Sequence, residues 1–198
     1  MVHGINQPER FLLLKKAVGL NLLQHLKEKF KIETVVELGC GFGDYTSRIE
    51  ELGLKAIGLD ISPTAIEKAK FKHASKIQKS DNLEFLVSEF VNFNLLKELK
   101  PDVILMPEIT WYVLDQLVDF RNYLKKELPD TFLIHMLMTY YPGVQVYVRE
   151  YFTNLDEILA FFDMYYLESG LVNVSAGGAR TWFLGTWNND LLEKWSGD

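Results

Sequence analysis

Cysteine is almost missing from this chain. Of 198 residues only Cys40 carries a thiol, so no internal disulfide forms and the fold rests on its core. Histidine is sparse too, with residues only at 3, 25, 73 and 135. No His/Cys/Asp cluster has metal-ligand spacing, so no metal is expected. Basic charge is in deficit: 21 Lys and Arg face 27 Asp and Glu, for a net charge of −6. Proteins that bind nucleic acid usually display a basic face that drives counterion release, so a polyanion is not the expected main partner. The densest basic run (Lys68, Lys70, Lys72, Lys76 and Lys79) is interleaved with Ala and Ile on a predicted helix and reads as a solvated face. Long apolar runs are lacking as well. Phe11-Leu12-Leu13-Leu14 is interrupted by Lys15-Lys16, far short of the ~20 residues a membrane span needs. No charged segment leads into an apolar core with a cleavage site, so a cytoplasmic protein without membrane contact is expected.

What is present is a chain with 48% hydrophobic residues, long enough for one sizeable core and short for two. One domain is expected over 1–198, with an N-terminal helical segment at 1–30 and a core at 33–187. Between Pro8 and Phe30 the apolar positions follow a helical stripe. Strands then alternate with helices. Strands are predicted at Thr34-Val35-Val36, Lys55 to Leu59, Asn82 to Val87, Asp102 to Met106 and Thr131 to Met138. Helices are predicted from Asp44 to Leu52, from the Ser62 cap with Pro63 to about Gln78, and from Trp111 to Leu128. Thr153-x-x-Asp156 reads as a capping box for a short helix ending near Met164. Tyr165 to Val174 and Arg180 to Trp187 flank the Gly177-Gly178 turn as a hairpin, and the last few residues read as a loose tail. The pattern is an α/β, Rossmann-like open sheet, mostly parallel, with a C-terminal antiparallel hairpin and helices on both faces.

The densest chemical signal is Glu37-Leu38-Gly39-Cys40-Gly41-Phe42-Gly43. It joins a β-branched strand to a helix through alternate glycines, which let main chain pass close to a ligand. The second strand ends on Asp60, a carboxylate placed beside that turn and able to accept from both ribose hydroxyls. Spacing narrows the cofactor. A dinucleotide fingerprint, G-x-G-x-x-G, wants a third glycine where this chain has Asp44, whose charge at the helix start opposes a pyrophosphate. A cationic ligand suits an acidic mouth better: at ~5 Å and an effective dielectric constant near 20, one unit pair is worth about 3 kcal/mol before desolvation. Cys40 occupies a variable position and reads as a small residue offering its backbone N–H rather than a reactive thiol.

This E-x-G-x-G-x-G segment resembles motif I of the class I S-adenosylmethionine-dependent methyltransferases, and Asp60 matches their second-strand acid; the likeness runs from about Glu33 to Leu114. The resemblance implies S-adenosylmethionine as cofactor and S-adenosylhomocysteine as product. It implies further that Gly39 to Gly43 lie against the methionine and ribose portion, with Glu37 tying the loop and reaching the amino acid through water.

In an open parallel sheet the ligand sits at the C-terminal ends of the strands. After the second strand come Asp60 and Ile61, and after the third Ser88, Glu89 and Phe90. By resemblance, Glu89 accepts from the adenine amino group; the alternative is a solvated loop acid. Phe90 or Ile61 supplies an apolar wall for adenine. After the fourth strand stands Pro107-Glu108-Ile109-Thr110-Trp111-Tyr112. Some amide and adenine N-methyltransferases carry Asn/Asp-Pro-Pro-Tyr there, and this chain departs from that pattern. Pro107 is placed beside the cofactor; Glu108 either holds substrate or the cofactor's amino end, or caps the next helix, and it is also a candidate catalytic base. Trp111 and Tyr112 are candidate substrate contacts, with a lid or core role as the alternative. After the fifth strand, Tyr140, Tyr141, Arg149 and Tyr151 read either as a substrate loop or as packing over the sheet end. His135, within that strand, is a candidate base with a core role as the alternative.

The expected activity is methyl transfer to an oxygen or nitrogen of a small molecule or sugar-containing metabolite. Two other classes stay open: a nicotinamide-dependent oxidoreductase, which Asp44 opposes, and a noncatalytic cofactor-binding relative of the fold.

Overall fold

A computed structural model describes residues 7–141, 144, 151–174 and 177–197, with side chains from residue 17 onward. Seven strands form one sheet in the order β3-β2-β1-β4-β5-β7-β6. They are β1 (Thr34–Leu38), β2 (Lys55–Asp60), β3 (Leu83–Val87), β4 (Val103–Pro107), β5 (Phe132–Tyr140), β6 (Tyr165–Val174) and β7 (Gly178–Thr186). The first five run parallel, whereas β7 is antiparallel to both β5 and β6. The chain moves outward from β1 to β2 and β3, then returns to lay β4 on the other side of β1. That reversal leaves a crevice at the C-terminal tips of β1 and β4.

Alternation along the strands sorts the core into two layers. Val35, Val103, Leu105, Phe132, Ile134 and Met136 face helices α1 (Gln7–Phe30), α2 (Asp44–Glu50) and α3 (Pro63–Lys72), which contribute Leu23, Leu26, Ile49 and Ile66. Val36, Ile57, Ile104, Met106, Leu133 and Leu137 face the other side. Over them lie α5 (Phe93–Leu99), α6 (Leu117–Glu127) and α7 (Leu155–Phe162), contributing Leu96, Phe120 and Phe162. Every residue of β4 is buried, as a strand covered on both faces requires.

Several expectations are corrected. The helix predicted from Ser62 to Gln78 breaks at His73 (φ −104°, ψ 14°), and α4 (Ala74–Ile77) follows as a separate turn. The segment predicted as helix from Trp111 opens instead with two 3-10 turns, Thr110–Tyr112 and Leu114–Gln116, and becomes α-helical only at Leu117. Its start is pinned to the sheet, because the Trp111 indole N–H donates to the Met138 carbonyl at 3.0 Å. Helix α5, not predicted, is capped by Asn92, whose side chain accepts from the Leu95 N–H at 3.2 Å. The cap of α7 is Asn154 rather than Thr153: it accepts from Glu157 N–H at 2.9 Å, and the Glu157 carboxylate reaches back to Thr153 N–H at 2.6 Å. The predicted loose tail is helix α8 (Asn189–Ser196), held by Leu191 and by Trp195, whose ring stacks on Phe30 with centroids 6.1 Å apart.

Candidate active site

The glycine turn is built from its own backbone. Gly39 and Cys40 N–H both donate to the Leu59 carbonyl, at 2.8 and 3.0 Å, so the loop is sewn to the end of β2. Gly41 N–H donates to Asp60 Oδ2 at 2.8 Å, and Ser62 N–H donates to Oδ1 at 2.9 Å. Loop and acid are therefore one unit. Gly41 sits at φ +56°, and a Cβ added there would meet nothing within 4 Å, so bare main chain borders open space. Gly43 does a different job. At φ +75° it is the N-cap of α2, and a Cβ would lie 2.4 Å from the Phe85 ring. This glycine lets α2 close onto β3, rather than letting a ligand approach.

Beneath the loop, Glu37 is buried at 2% exposure and accepts from Thr46 Oγ1 at 2.5 Å, tying β1 to α2. Cys40 corrects its expected role, since the N–H it was to offer is taken by Leu59. Its thiol is inert: burial first, then the charges of Glu37 and Asp60, push its ionisation well above the ordinary range.

A cavity of about 570 Å³ opens at these tips, within the range usual for ligand sites. Among its walls are Gly39, Asp60, Ile61, Glu89, Phe90 and Tyr112, six of the residues expected from the sequence. Ile61 and Tyr112 are 70% and 84% exposed, so apolar surface lines a wet opening. Ser88, Ile109, Val113 and Gln116 also line it. Ile109 stands just before the 3-10 turns, and Val113 and Gln116 lie among them, where apolar spacing predicts an α-helix. Ile109 lies directly over Gly39, where a Cβ would meet its Cγ2 at 2.2 Å.

These features suit a sulfonium nucleoside. The Asp60 oxygens each accept one N–H, and an ionised carboxylate has about four acceptor sites in all, leaving capacity for a ribose diol. Asp44, set against a pyrophosphate in the sequence argument, does stand at the start of α2, where it pairs with Lys72 at 2.6 Å. Among the described residues no group of three or more His, Cys, Asp or Glu is placed to hold a metal ion.

The remaining candidates are not gathered at this cavity. Pro107 is buried at the end of β4 and Trp111 is tied to β5. Tyr140 and Tyr141 are 37% and 41% exposed; the Tyr141 hydroxyl donates to Asn173 Oδ1 at 2.8 Å. Tyr151 packs partly buried on the α5–α7 layer, and Arg149 lies outside the described residues. His135 is fully buried, stacked on Phe183 with centroids 5.1 Å apart and 2.7 Å from Thr110 Oγ1 through Nε2. Burial lowers its pKa to about 3. A group so enclosed is a core residue in this structure and has no path to a substrate. Its Nδ1 meets no partner among the described residues, so the cheaper tautomer carries the proton on Nε2 and donates to Thr110, leaving a lone pair rather than an N–H unsatisfied.

Glu108 neither caps the next turn nor reaches solvent freely. It takes a left-handed backbone (φ +63°), rare for a residue with a side chain. Its Oε2 accepts from Met138 N–H at 2.9 Å, and its Oε1 pairs with Arg180 Nη1 at 2.9 Å. Arg180 was not singled out in the sequence. It stands on β7 opposite Met138, a relation created by pairing strands distant along the chain.

Residues 29–148 match the model of a methyltransferase-domain family. Among solved structures, magnesium protoporphyrin IX methyltransferase from Synechocystis PCC 6803 with bound SAM superposes with a TM-score of 0.63 at 15% identity, covering 94% of this chain and 86% of that one. A putative sarcosine dimethylglycine methyltransferase from Galdieria sulphuraria gives a TM-score of 0.65 at 11% identity, covering 89% and 86%. The N-terminal domain of EvdMO1, crystallised in the presence of SAH and D-fucose, gives 0.59 at 13% identity, covering 84% and 82%; the chain spans only 40% of the longer EvdMO1. At such identities these likenesses establish the fold. The sequence family establishes the class, and the chain belongs to the class I S-adenosylmethionine-dependent methyltransferases.

Proposed function

We propose that the protein transfers a methyl group to an oxygen or nitrogen of a small molecule, with sugar-containing metabolites among the acceptors. The observation that carries the cofactor half is the bond from Gly41 N–H to Asp60 at 2.8 Å on the rim of the 570 Å³ cavity. When bound, S-adenosylmethionine supplies an electrophilic methyl on a positively charged sulfur. The chain's own contribution is to bind, align and exclude water, which is where most of the rate comes from in a displacement of this kind. Asp60 accepts from the ribose hydroxyls, Glu89 accepts from the adenine amino group, and Ile61 and Phe90 flank the ring. Ile109, packed on Gly39, limits how deep the methionine end can settle.

Support for a small acceptor comes from two sides. The family match and the sheet account for most of the chain, with no appended substrate domain among the described residues. The related EvdMO1 domain was crystallised with D-fucose, and the Synechocystis relative is named for a porphyrin. No described helix is long and apolar enough to cross a membrane.

The test is calorimetric titration with S-adenosylhomocysteine and with NADH, followed by methyl-transfer assays over sugars, phenols and amines. Binding of the homocysteine nucleoside with turnover of a small acceptor is expected. Binding of NADH alone would overturn the cofactor assignment, and turnover restricted to protein or nucleic acid would overturn the acceptor class.

A further inference from the structure

Helix α3 stops at His73, and the break lets the imidazole turn back toward the glycine turn. Nε2 of His73 lies 3.2 Å from the carbonyl oxygen of Phe42, 31 positions earlier in the chain. A carbonyl only accepts, so Nε2 carries the proton and donates. The ring is supported from behind. It stacks on Phe85 with centroids 5.7 Å apart, and Phe85 is the same ring that a Cβ on Gly43 would strike. The His73 side chain is only 11% exposed, so water competes little for the bond. Two other residues of α3 reach the same stretch: the Lys68 ammonium stands 5.4 Å from the centre of the Phe42 ring, and Lys72 pairs with Asp44. The ion pair is half in solvent, and pairs of that kind contribute little. The enclosed bond from His73 is therefore the contact that decides.

What it decides is the plane of one peptide. In a trans peptide the Phe42 carbonyl and the Gly43 N–H point opposite ways. The first is held by His73, and the second donates to the Cys40 carbonyl at 3.0 Å, so the unit is gripped at both ends. Such a grip matters here because Gly39, Gly41 and Gly43 sit at φ +72°, +56° and +75°, and glycine leaves more conformations open than any other residue. A turn of this composition must be ordered to receive a ligand, and ordering that happens at the moment of binding is subtracted from affinity. We infer that His73 is a positioning residue for the cofactor: by donating to the Phe42 carbonyl it holds the glycine turn in its binding conformation before the ligand arrives. This rests on the methyltransferase reading of the cavity. His73 is not among the residues lining that cavity, so it acts through the turn, of which Gly39 is part of the wall.

The first measurement is made on the native protein. Burial is the main reason the His73 pKa lies below its ordinary value, so at about pH 8 the ring is neutral and has one tautomer to report. In 15N-histidine spectra, assigned by the signal lost in His73→Gln, protonation on Nε2 is expected; a ring protonated on Nδ1 alone cannot donate to Phe42 and overturns the inference. Two variants then separate donor from packing. His73→Phe keeps a ring on Phe85 and removes the donor, whereas His73→Gln gives up the ring and supplies an amide N–H. By calorimetry His73→Phe should bind S-adenosylhomocysteine roughly fivefold more weakly than the native protein, and His73→Gln within about twofold of it. A role confined to packing predicts the reverse order. Hydrogen exchange gives a local readout: without ligand the Gly43 amide should exchange faster in His73→Phe while the amides of β4 keep their native rates, and saturating S-adenosylhomocysteine should restore it. Undiminished binding or unchanged Gly43 exchange in His73→Phe, or weaker binding by His73→Gln than by His73→Phe, each overturns the inference. Failure of the native protein to bind S-adenosylhomocysteine overturns the cofactor reading instead, and the tautomer and the Gly43 exchange still decide whether His73 holds the turn.

Discussion

The two sides of the crevice are built on opposite plans. At the tips of β1 and β2 the structure is main chain: three successive N–H groups from Gly39 to Gly41 are consumed by Leu59 and Asp60, and the acid lies next to the loop it holds. At the tips of β4, β5 and β7 the structure is side chain: Glu108 and Arg180 meet across strands 72 positions apart in sequence, and the Arg180 Nε–H meets no acceptor among the described residues. The first side is complete in itself and suits an invariant ligand. The second is assembled only when strands distant in sequence pair, so its side chains meet through the sheet register rather than through the local chain.

If the first side works through bare backbone, filling it should have the largest effect. Gly41→Val places branched carbon into space now open to 4 Å, at a φ that disfavours it by about 1–2 kcal/mol. Binding of S-adenosylhomocysteine should fall more than about a hundredfold, with the circular dichroism of a folded protein retained. Tight binding by this variant would mean that the ligand does not lie against the turn.

Asp60→Ala comes next. It removes the acceptors proposed for the ribose and also frees the Gly41 and Ser62 N–H groups, so a loss of about 1–3 kcal/mol in cofactor affinity is expected by calorimetry. Asp60→Asn separates the two roles, because its single carbonyl oxygen can satisfy one N–H but not grip a diol as well. Equal affinities for the Asp60→Asn variant and the native protein would confine Asp60 to holding the loop.

The same contrast explains what was legible in the sequence. Strand order could not be read, but strand existence, the glycine turn and Asp60 could, since all lie within a short contiguous stretch whose geometry is set locally. Val113 and Gln116 escaped because the apolar spacing after Thr110 fits an α-helix, and only the tether from Trp111 to Met138 shows the tighter turns; Ile109 escaped because its packing over Gly39 joins segments distant in sequence. Arg180 escaped because nothing local marks it; its meaning arises from the β5–β7 register. The Asn92 cap and the Leu95, Leu96 and Leu99 spacing of α5 were visible signals that went unread. His135 resolves to the core alternative rather than to the candidate base, because its strand position turns it inward against Phe183.

His135 offers a way to test the second side without touching the ion pair. Its folded-state pKa is about 3, pushed down by burial, against an ordinary value near 6.5 for the unfolded chain. The folded protein thus prefers the neutral ring. That contribution is complete above about pH 6.5 and is lost as pH falls toward 3, at roughly 1.4 kcal/mol per pH unit for this one proton. His135→Phe keeps the ring stack but strands Thr110, costing about 1–3 kcal/mol at neutral pH. Chemical denaturation between pH 7 and pH 4 should show that penalty shrinking as the pH falls. A constant difference between variant and native would show that His135 does not change its protonation on unfolding.

The smallest effect is expected at Glu89, and it probes the first side most finely. This acid is exposed on the cavity rim, so a hydrogen bond from the adenine amino group is worth at most about 1 kcal/mol after solvent screening. A simple loss of affinity in Glu89→Ala would be too small to interpret. The informative quantity is discrimination between S-adenosylhomocysteine and its inosine counterpart, in which the amino group is replaced by a carbonyl oxygen. The native carboxylate only accepts, and should favour the amino form several-fold. Glu89→Gln can accept from the amino group or donate to the oxygen, so its preference should collapse toward unity. A ratio that stays put in Glu89→Gln would make Glu89 a solvated loop acid, and adenine would then be read by backbone and by the Ile61 and Phe90 walls alone.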